Sequence, residues 1–402
     1  MGKFYDKIQI VEPDKFDSKL MDNIFEFEEF RDSSAMLKKF KTSDTKPSIF
    51  FSFIPIFQLV ESIGSTRIEW NHTTVSKFID KLNSKESDDN ADEWIKEIKN
   101  NFNARNYIDY LYRKEQSITI DRKFICELHS ILMKWLDPNK EWDDTPWEYR
   151  KVNVQISWSK HTPPDFTQVK NYMDELVDFI NRNDWKKYDL IKIALVHHRF
   201  VWIHPFKNGN WRMVRLLTYA LFLKYGYDFN HVSLMNTSSL FCLNRKQYNK
   251  FLEEADSWDE NKLLKRCEFA TSSVCAEVKN IKRFFDVEFV NSILDSGIQK
   301  LRESKIIDEK ESQILKLLYE KWEIDNKTVQ EVLWFDKSVV SRKFSRLKEK
   351  LLLIRLWRSK HYIPLYENRI MFMDIYHNLI NAGFNSWSIL DEPEWLSEVL
   401  PK

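Results

Sequence analysis

Cysteine is scarce in this 402-residue chain, and the four present, Cys126, Cys242, Cys267 and Cys275, are scattered. They lack the close pairs or interspersed histidines that a structural zinc site requires, so they read as reduced thiols. Charge of one sign is also missing. Lysine plus arginine (62) nearly balance aspartate plus glutamate (61), leaving a net charge of +1. No global field draws the chain to nucleic acid or to an anionic membrane, and any basic surface must be local. Long apolar runs are absent too. The opening stretch, MGKFYDKIQIVEPDKF, has no continuous apolar core of signal-peptide length, and no later stretch could span a bilayer. These absences predict a soluble, cytoplasmic protein with no membrane partner. Internal repeats and low-complexity tracts are not found either.

What is present is mostly helical periodicity. The length allows two or three domains. From Asp17 to about Phe57 apolar residues recur irregularly among charges, which suggests an N-terminal extension that docks on something else. Ile63 to Leu82 reads as one helix, followed by a polar surface loop from Asn83 to Glu93. Between Ile95 and Trp135 apolar residues return every three or four positions, as amphipathic helices require. Lys151 to Ser159 alternates apolar and polar residues with period two, predicting a small β-hairpin that Pro163 and Pro164 end. Helices are expected over Thr167–Asn181, Tyr188–Ile203 and Gly209–Tyr225, with Gly226 as a stop. The 15 tryptophans, at helical spacing, are expected to lie mostly in the core, and His197 and His198 to pack or cap without a chemical role.

The chemistry concentrates in His197 to Arg215, HHRFVWIHPFKNGNWRMVR. Pro205 cannot continue the preceding helix, and Gly209 permits unusual backbone angles just before the next. A loop that ends in a helix N-terminus offers free N–H groups and a positive dipole end to a phosphate. Arg212 and Arg215, three apart, share a helix face and can reach an anion together. His204 suits a general base that accepts a proton from a hydroxyl nucleophile. Base, anion cradle and two guanidinium groups together make a phosphoryl or nucleotidyl transfer site.

This run resembles the signature of the Fic family, His-x-Phe-x-Asp/Glu-Gly-Asn-Gly-Arg-x-x-Arg. His204, Phe206, Gly209, Asn210, Arg212 and Arg215 fall on its places. Trp147 to Arg150, the alternating segment and Pro163-Pro164 resemble the flap that positions targets ahead of that motif, and the likeness runs from about Ile63 to Trp258. The resemblance implies a protein adenylyltransferase that moves AMP from ATP to a Ser, Thr or Tyr hydroxyl. His204 would be the base. Gly209, Asn210, Trp211, Arg212 and Arg215 would hold the phosphates, with Arg212 also catalytic. Phe206 would anchor the loop, and Tyr248 would lie near the adenine. Mg²⁺ or Mn²⁺ would be held near Asn208. Two places depart from the pattern: Asn208 stands where the family has an acid, and Trp211 where it has a glycine. Ser65-Thr66-Arg67-Ile68-Glu69 further resembles the family's inhibitory helix motif, with Trp70 at its Gly/Asn place; by that likeness Glu69 pairs with Arg215 and blocks the terminal phosphate.

The last third has its own pattern. Ile307, Ile314, Leu317 and Leu318 share a helix face, and a short helix follows at Thr328–Leu333. After Asp336, a suitable N-cap, Val339, Val340, Phe344 and Leu347 face a core while Lys337, Ser341, Arg342 and Lys348 face out. Leu353–Leu356 and Tyr362–Leu365 pair as a wing. The succession resembles a winged helix-turn-helix with Lys337–Lys350 as recognition helix, in which only Glu349 opposes the basic residues. Such a module serves either DNA or protein docking.

The sequence therefore predicts a mainly α protein: a Fic-type helical core with a small β-hairpin flap, plus a C-terminal winged helix domain. Its divisions are an extension over 1–100 carrying an inhibitory helix at 63–82, a core over 101–260, a helical linker over 261–305 and the winged helix over 306–402. Expected partners are ATP, a target protein that can be the chain itself, and DNA; a homodimer is compatible with this reading. The alternative function is an impaired Fic-like nucleotide-binding regulator that works through its winged helix.

Overall fold

Leu20, Ile24, Phe27 and Phe30 recur every three or four residues, and Ser18–Arg31 accordingly folds as a helix, α1, that buries all four. The protein is represented by a computed structural model that describes residues 8, 11–31, 53–67, 75–82, 92–115, 117–137, 144–156, 159–182, 184, 188–227, 235–237, 245–257, 259–356 and 358–384. After α1 come α2 (Ile54–Arg67), α3 (Val75–Leu82), α4 (Glu93–Glu115), α5 (Arg122–Leu132), α6 (Phe166–Asn181), α7 (Asp189–Ile203), α8 (Asn210–Lys224), α9 (Arg245–Ala255) and α10 (Glu260–Lys282). They are followed by α11 (Val287–Glu303), α12 (Glu309–Lys321), α13 (Asn326–Leu333), α14 (Lys337–Glu349), β1 (Leu353–Arg355), β2 (Tyr362–Pro364) and α15 (Arg369–Asn381). The fold is mainly helical, and among the described residues β1 and β2 form the only sheet.

The chain divides into two compact units. The first comprises Met1–Met36, Gln58–Thr73 and Ser87–Lys279; the second comprises Leu37–Phe57, Thr74–Glu86 and Asn280–Lys402. In the first, α7 and α8 pack on each other, α8 also meets α4 and α5, and α7 meets α6. Helix α7 is buried from Asp189 to Ile203, the signature of a central helix. Its charged residues are answered locally: Lys192 donates to the Arg182 carbonyl at 2.6 Å, and Arg199 pairs with Glu175 at 3.2 Å. Asp121 and Asp165 cap α5 and α6 by accepting from Phe124 N and Thr167 N.

In the second unit, Phe53, Phe57, Phe284 and Phe384 form an aromatic cluster, and α11 lies along α15. Asp308 and Glu311 close a capping box at the start of α12. The strands pair antiparallel as Leu353↔Pro364, Ile354↔Ile363 and Arg355↔Tyr362, and an isolated bridge adds Ile324 to Tyr362.

Several expectations change. Residues 18–31, where the apolar pattern reads as irregular, are a regular helix: Phe27 packs on Phe222 and Tyr227, and Asn23 donates to Thr271 and Ser272 of α10. The helix expected over 63–82 begins at Ile54, because Pro55 stands in a first turn where its missing N–H costs no bond. Residues 75–82 form a separate helix, and 68–74 lie outside the described residues. The period-two segment, read as a hairpin, forms no strand pairing at its described residues 151–156 and 159; Arg150 takes up neighbouring carbonyls of Val152 and Pro164 instead. The described tryptophans are mostly not core. Trp94, Trp135, Trp147 and Trp334 are exposed, the last at 89%, and only Trp202 among the described ones is buried. Asp336 precedes α14 without a side-chain cap bond.

Candidate functional site

The loop between α7 and α8 is fixed by its backbone before any ligand arrives. Helix α7 ends at His204, which takes a left-handed conformation at φ 51° ahead of Pro205, and α8 starts from Gly209 at φ 71°. A side chain at Gly209 would be strained by that φ, and its Cβ would lie 2.0 Å from Met133 Cε. Asn210 then staples the loop from within. Its Oδ1 accepts from Phe206 N and its Nδ2 donates to the Phe206 carbonyl, both at 2.9 Å.

Two side chains from outside the loop complete the clamp. Arg150, buried, donates from its backbone N to the Pro205 carbonyl at 2.8 Å and from Nε to the His204 carbonyl at 2.9 Å. Burial lowers its pKa to about 10, still far above neutrality. His129 stacks on Phe206, ring centroids 3.7 Å apart and 5° from parallel. Its ring nitrogens lie 2.7 Å from the Pro146 carbonyl and 3.0 Å from the Asn208 carbonyl. Phe206 itself is fully buried.

His204 is 8% exposed, and Nδ1 faces the Val201 carbonyl at 3.4 Å. Burial, then the nearby charge of Arg150, lowers its pKa to about 3, although the Val201 contact opposes this. The imidazole is therefore neutral near pH 7, and a proton on Nδ1 leaves the Nε2 lone pair available to accept another.

The two signature arginines are both buried and both held. Arg215 donates from Nε to Ser65 Oγ at 2.8 Å and from Nη2 to the Ser65 carbonyl at 2.6 Å. Arg212 pairs through Nη1 with Glu97 Oε1 of α4 at 3.3 Å. Helix α2 is itself anchored on the same face, since Gln58 donates to Asp109 at 2.8 Å and Glu61 accepts from Thr237 at 2.8 Å. Ser65 thus meets Arg215; Glu69, the partner the resemblance implies for that arginine, and Trp70 lie outside the described residues.

Tyr248 and Trp211 come together edge to face, ring centroids 6.0 Å apart. The Tyr248 hydroxyl lies 2.7 Å from His197 Nε2, His197 Nδ1 lies 2.9 Å from Thr218 Oγ1, and Thr218 donates to the Val214 carbonyl. That last bond fixes the direction of the chain: Nδ1–H donates to Thr218, and Tyr248 O–H donates to Nε2. Burial, then Arg266 and Arg215, push the His197 pKa well down, consistent with a neutral ring. His198 pairs with Asp256 at 3.0 Å. Both histidines do structural work, as their position within α7 suggests.

Asn208 is half-exposed, and its side-chain oxygen accepts from Gly209 N at 2.7 Å. Among the described residues no group of three or more His, Cys, Asp or Glu is placed to hold a metal. A single uncharged oxygen, already accepting, does not fit a protein-held Mg²⁺ or Mn²⁺, which needs carboxylates or phosphates.

Glu97, His129 and Met133 were not apparent as site residues in the sequence, and Arg150 appeared there only as part of the flap. One signal was available for Glu97. Glu97, Asn101, Arg105 and Asp109 repeat every four residues along α4, and all are buried. Such a polar stripe must meet polar partners, and Asp109 and Arg105 indeed meet Tyr219 of α8.

Residues 119–222 match the family described as Fic/DOC family. The chain is 32% identical over 118 residues to a protein adenylyltransferase Fic of Nematostella vectensis, covering 29% of this chain and 26% of the relative. It is 32% identical over 114 residues to a probable protein adenylyltransferase of Aquifex aeolicus (strain VF5), covering 28% and 32%. The chain thus spans about a quarter to a third of the length of these curated relatives. The crystal structure of a Fic family protein from Desulfovibrio desulfuricans G20 superposes with TM-score 0.52 over 90% of this chain and 98% of that one, at 16% identity. At that identity the likeness is one of fold.

Proposed function

From the Fic/DOC family domain at residues 119–222, we propose that the chain is a protein adenylyltransferase that transfers AMP from ATP to a Ser, Thr or Tyr hydroxyl, held in check by Glu69. The single observation that carries this reading is the pre-set loop. A neutral His204 stands at one end, and at the other two buried arginines lie behind a helix N-terminus, the arrangement a polyphosphate next to a hydroxyl requires.

In this mechanism His204 Nε2 takes the proton of the target hydroxyl. The hydroxyl oxygen attacks the α-phosphorus, its bond to the bridging oxygen breaks, and pyrophosphate leaves with the electron pair. The N–H groups at the start of α8 and the guanidinium of Arg212 face the phosphates, while Arg215 orients the terminal one once Ser65 and Glu69 release it. Tyr248 and Trp211 border the base. Mg²⁺ or Mn²⁺ would be held mainly by the ATP phosphates, whose charge it would neutralise, with Asn208 as the neighbouring side-chain oxygen among the described residues. We place the protein in the cytoplasm; among the described residues no helix is long and apolar enough to cross a membrane.

The test is intact mass after incubation with ATP and Mg²⁺ or Mn²⁺, alone and with candidate targets. An increase of one AMP that His204→Ala abolishes supports the reading, since loss of a general base costs on the order of a hundredfold or more. Unchanged labelling in that variant overturns it.

A second reading, a nucleotide-binding regulator that acts through a C-terminal winged helix on DNA, draws on α14. Lys343, Arg346 and Lys350 are ion-paired to Asp308 or Glu311, whereas Lys337, Arg342 and Lys348 are exposed and have no ion-pair partner among the described residues. ATP binding without any mass increase favours this reading over transfer.

A further inference from the structure

The pairing of Arg212 with Glu97 lies outside the signature loop and outside the helix that carries Ser65. We infer that Glu97 is a positioning residue for Arg212, setting its guanidinium against the loop so that the remaining donors meet a nucleotide phosphate. This rests on the proposal that the loop binds nucleotide.

The geometry has three parts. Arg212 is the third residue of α8, and its Nη2 lies 3.6 Å from the place a Cβ on Gly209 would take, so one end of the fork is folded against the loop. Nη1, at the other end, meets Glu97 at 3.3 Å. The pair is nearly sealed, with side-chain exposures of 1% and 6%. A guanidinium carries five donors in a rigid plane, so a carboxylate on one nitrogen fixes the direction of the others without using them up.

Glu97 is also a firm base to hold from. It sits in the first turns of the 23-residue α4, which packs against α8. Three residues on, Asn100 donates to the carbonyls of Leu132 and Lys134 at 3.0 and 2.6 Å. This ties α4 to the end of α5, where Met133 touches Gly209. One rigid frame therefore holds both the loop and its arginine, which is how a binding constellation is kept in register.

A competing role is available to any carboxylate near a phosphate site: it can occupy the arginine and exclude the anion. The two roles predict opposite outcomes. A competitor, once removed, lets the anion in, so both Glu97→Ala and Glu97→Gln would bind ATP more tightly than the wild type. A positioning group needs only its acceptor oxygen, which glutamine keeps.

The experiment has two arms on the full chain. Without nucleotide, a double-mutant cycle of Glu97→Ala and Arg212→Met followed by thermal unfolding reads the coupling of the pair; additive effects overturn the inference whatever ATP does. With ATP, calorimetry should give Glu97→Gln at least wild-type affinity and Glu97→Ala roughly tenfold or greater weakening, the loss expected when a charge-assisted bond is misdirected. Tighter binding by both variants, or no change in Glu97→Ala, overturns it. If the pair is coupled but the wild type does not bind ATP, the functional reading fails, and Glu97 is then a structural ion partner rather than a positioning one. If ATP binds and only the Glu97 variants behave otherwise, the functional reading stands without this inference.

Discussion

Arg215 gives two of its donors to one residue, Ser65, through the hydroxyl at 2.8 Å and the backbone carbonyl at 2.6 Å. The arginine that should orient a terminal phosphate is thus tied to α2, the helix that leads to Glu69. Ser65→Ala removes one of the two acceptors and should raise self-labelling by ATP a few-fold. Glu69→Gly should raise it further, roughly tenfold or more, as expected for loss of a charge-assisted bond. Adding His204→Ala should remove both gains. Equal labelling of wild type and both single variants, all folded and binding ATP, would show that α2 is no brake.

Gly209 has a φ of 71° and lies against the tip of Met133. Gly209→Ala should cost about 1–2 kcal/mol from the left-handed backbone alone. The contact with Met133 adds little, because a methionine tip can swing aside. Met133→Ala in the same chain should therefore recover only a small part of the lost Tm. Full recovery by the double variant would show that crowding, not backbone conformation, selects glycine.

Asn208 offers a metal one neutral oxygen. Asn208→Asp should strengthen the dependence of nucleotide binding on Mg²⁺ or Mn²⁺, because a carboxylate joins the phosphates as a ligand. Calorimetric titrations of ATP with and without the metal check this. An unchanged metal dependence would mean that the phosphates already supply the ligands that matter.

On α14 the internal pairing of Lys343, Arg346 and Lys350 leaves Lys337, Arg342 and Lys348 to face outward. DNA affinity should fall steeply with salt, and each of these three residues changed to Gln should reduce the log–log slope by about 1. Arg346→Gln should alter it less, since Asp308 and Glu311 already balance that charge. No binding at low salt in a mobility-shift titration would favour protein docking.

Buried titratable groups set opposite pH trends. Burial lowers the pKa of His197, His198 and His204, so below about pH 6.5 the unfolded chain binds protons that the folded one refuses, and stability declines as the pH is lowered. Glu277 is the reverse case. Burial, then Glu61, raises its pKa to about 8, so its contribution declines as pH climbs from the unfolded value of 4.5 through 8. Glu277→Gln should therefore raise Tm at pH 7.5 by an amount reflecting on the order of 2–3 kcal/mol and change it little at pH 4.5. An equal effect at both pH values would show that Glu277 is ionised in the folded protein.

The loop was legible because its chemistry is local. Pro205, Gly209 and the phased Arg212 and Arg215 lie within a dozen residues, and the helix boundaries on either side fall within a residue of their observed ends. What holds the loop was harder to see. His129 and Arg150 act from 79 and 54 residues away, and neither has a spacing that points to its partner. The helix at Ser18–Arg31 was in the pattern all along, but an aspartate and three glutamates between its apolar residues obscured the stripe. Trp135, Trp147 and Trp334 mislead for a different reason: whether a tryptophan is covered depends on neighbours that arrive from elsewhere in the chain, which composition does not encode.

The second unit is assembled from three separated stretches of chain, and α3 finds a partner in α15, which begins almost 290 residues after α3 ends. During synthesis at about 5–20 residues per second, α3 emerges roughly 15–60 s before that partner exists. Val75, Phe78 and Ile79, fully covered in the finished protein, lie on that helix and lack whatever cover α15 supplies through that interval. The chain therefore has a window in which a chaperone has something to hold, and α1 to α10 cut from the rest would keep α3 without that partner for good.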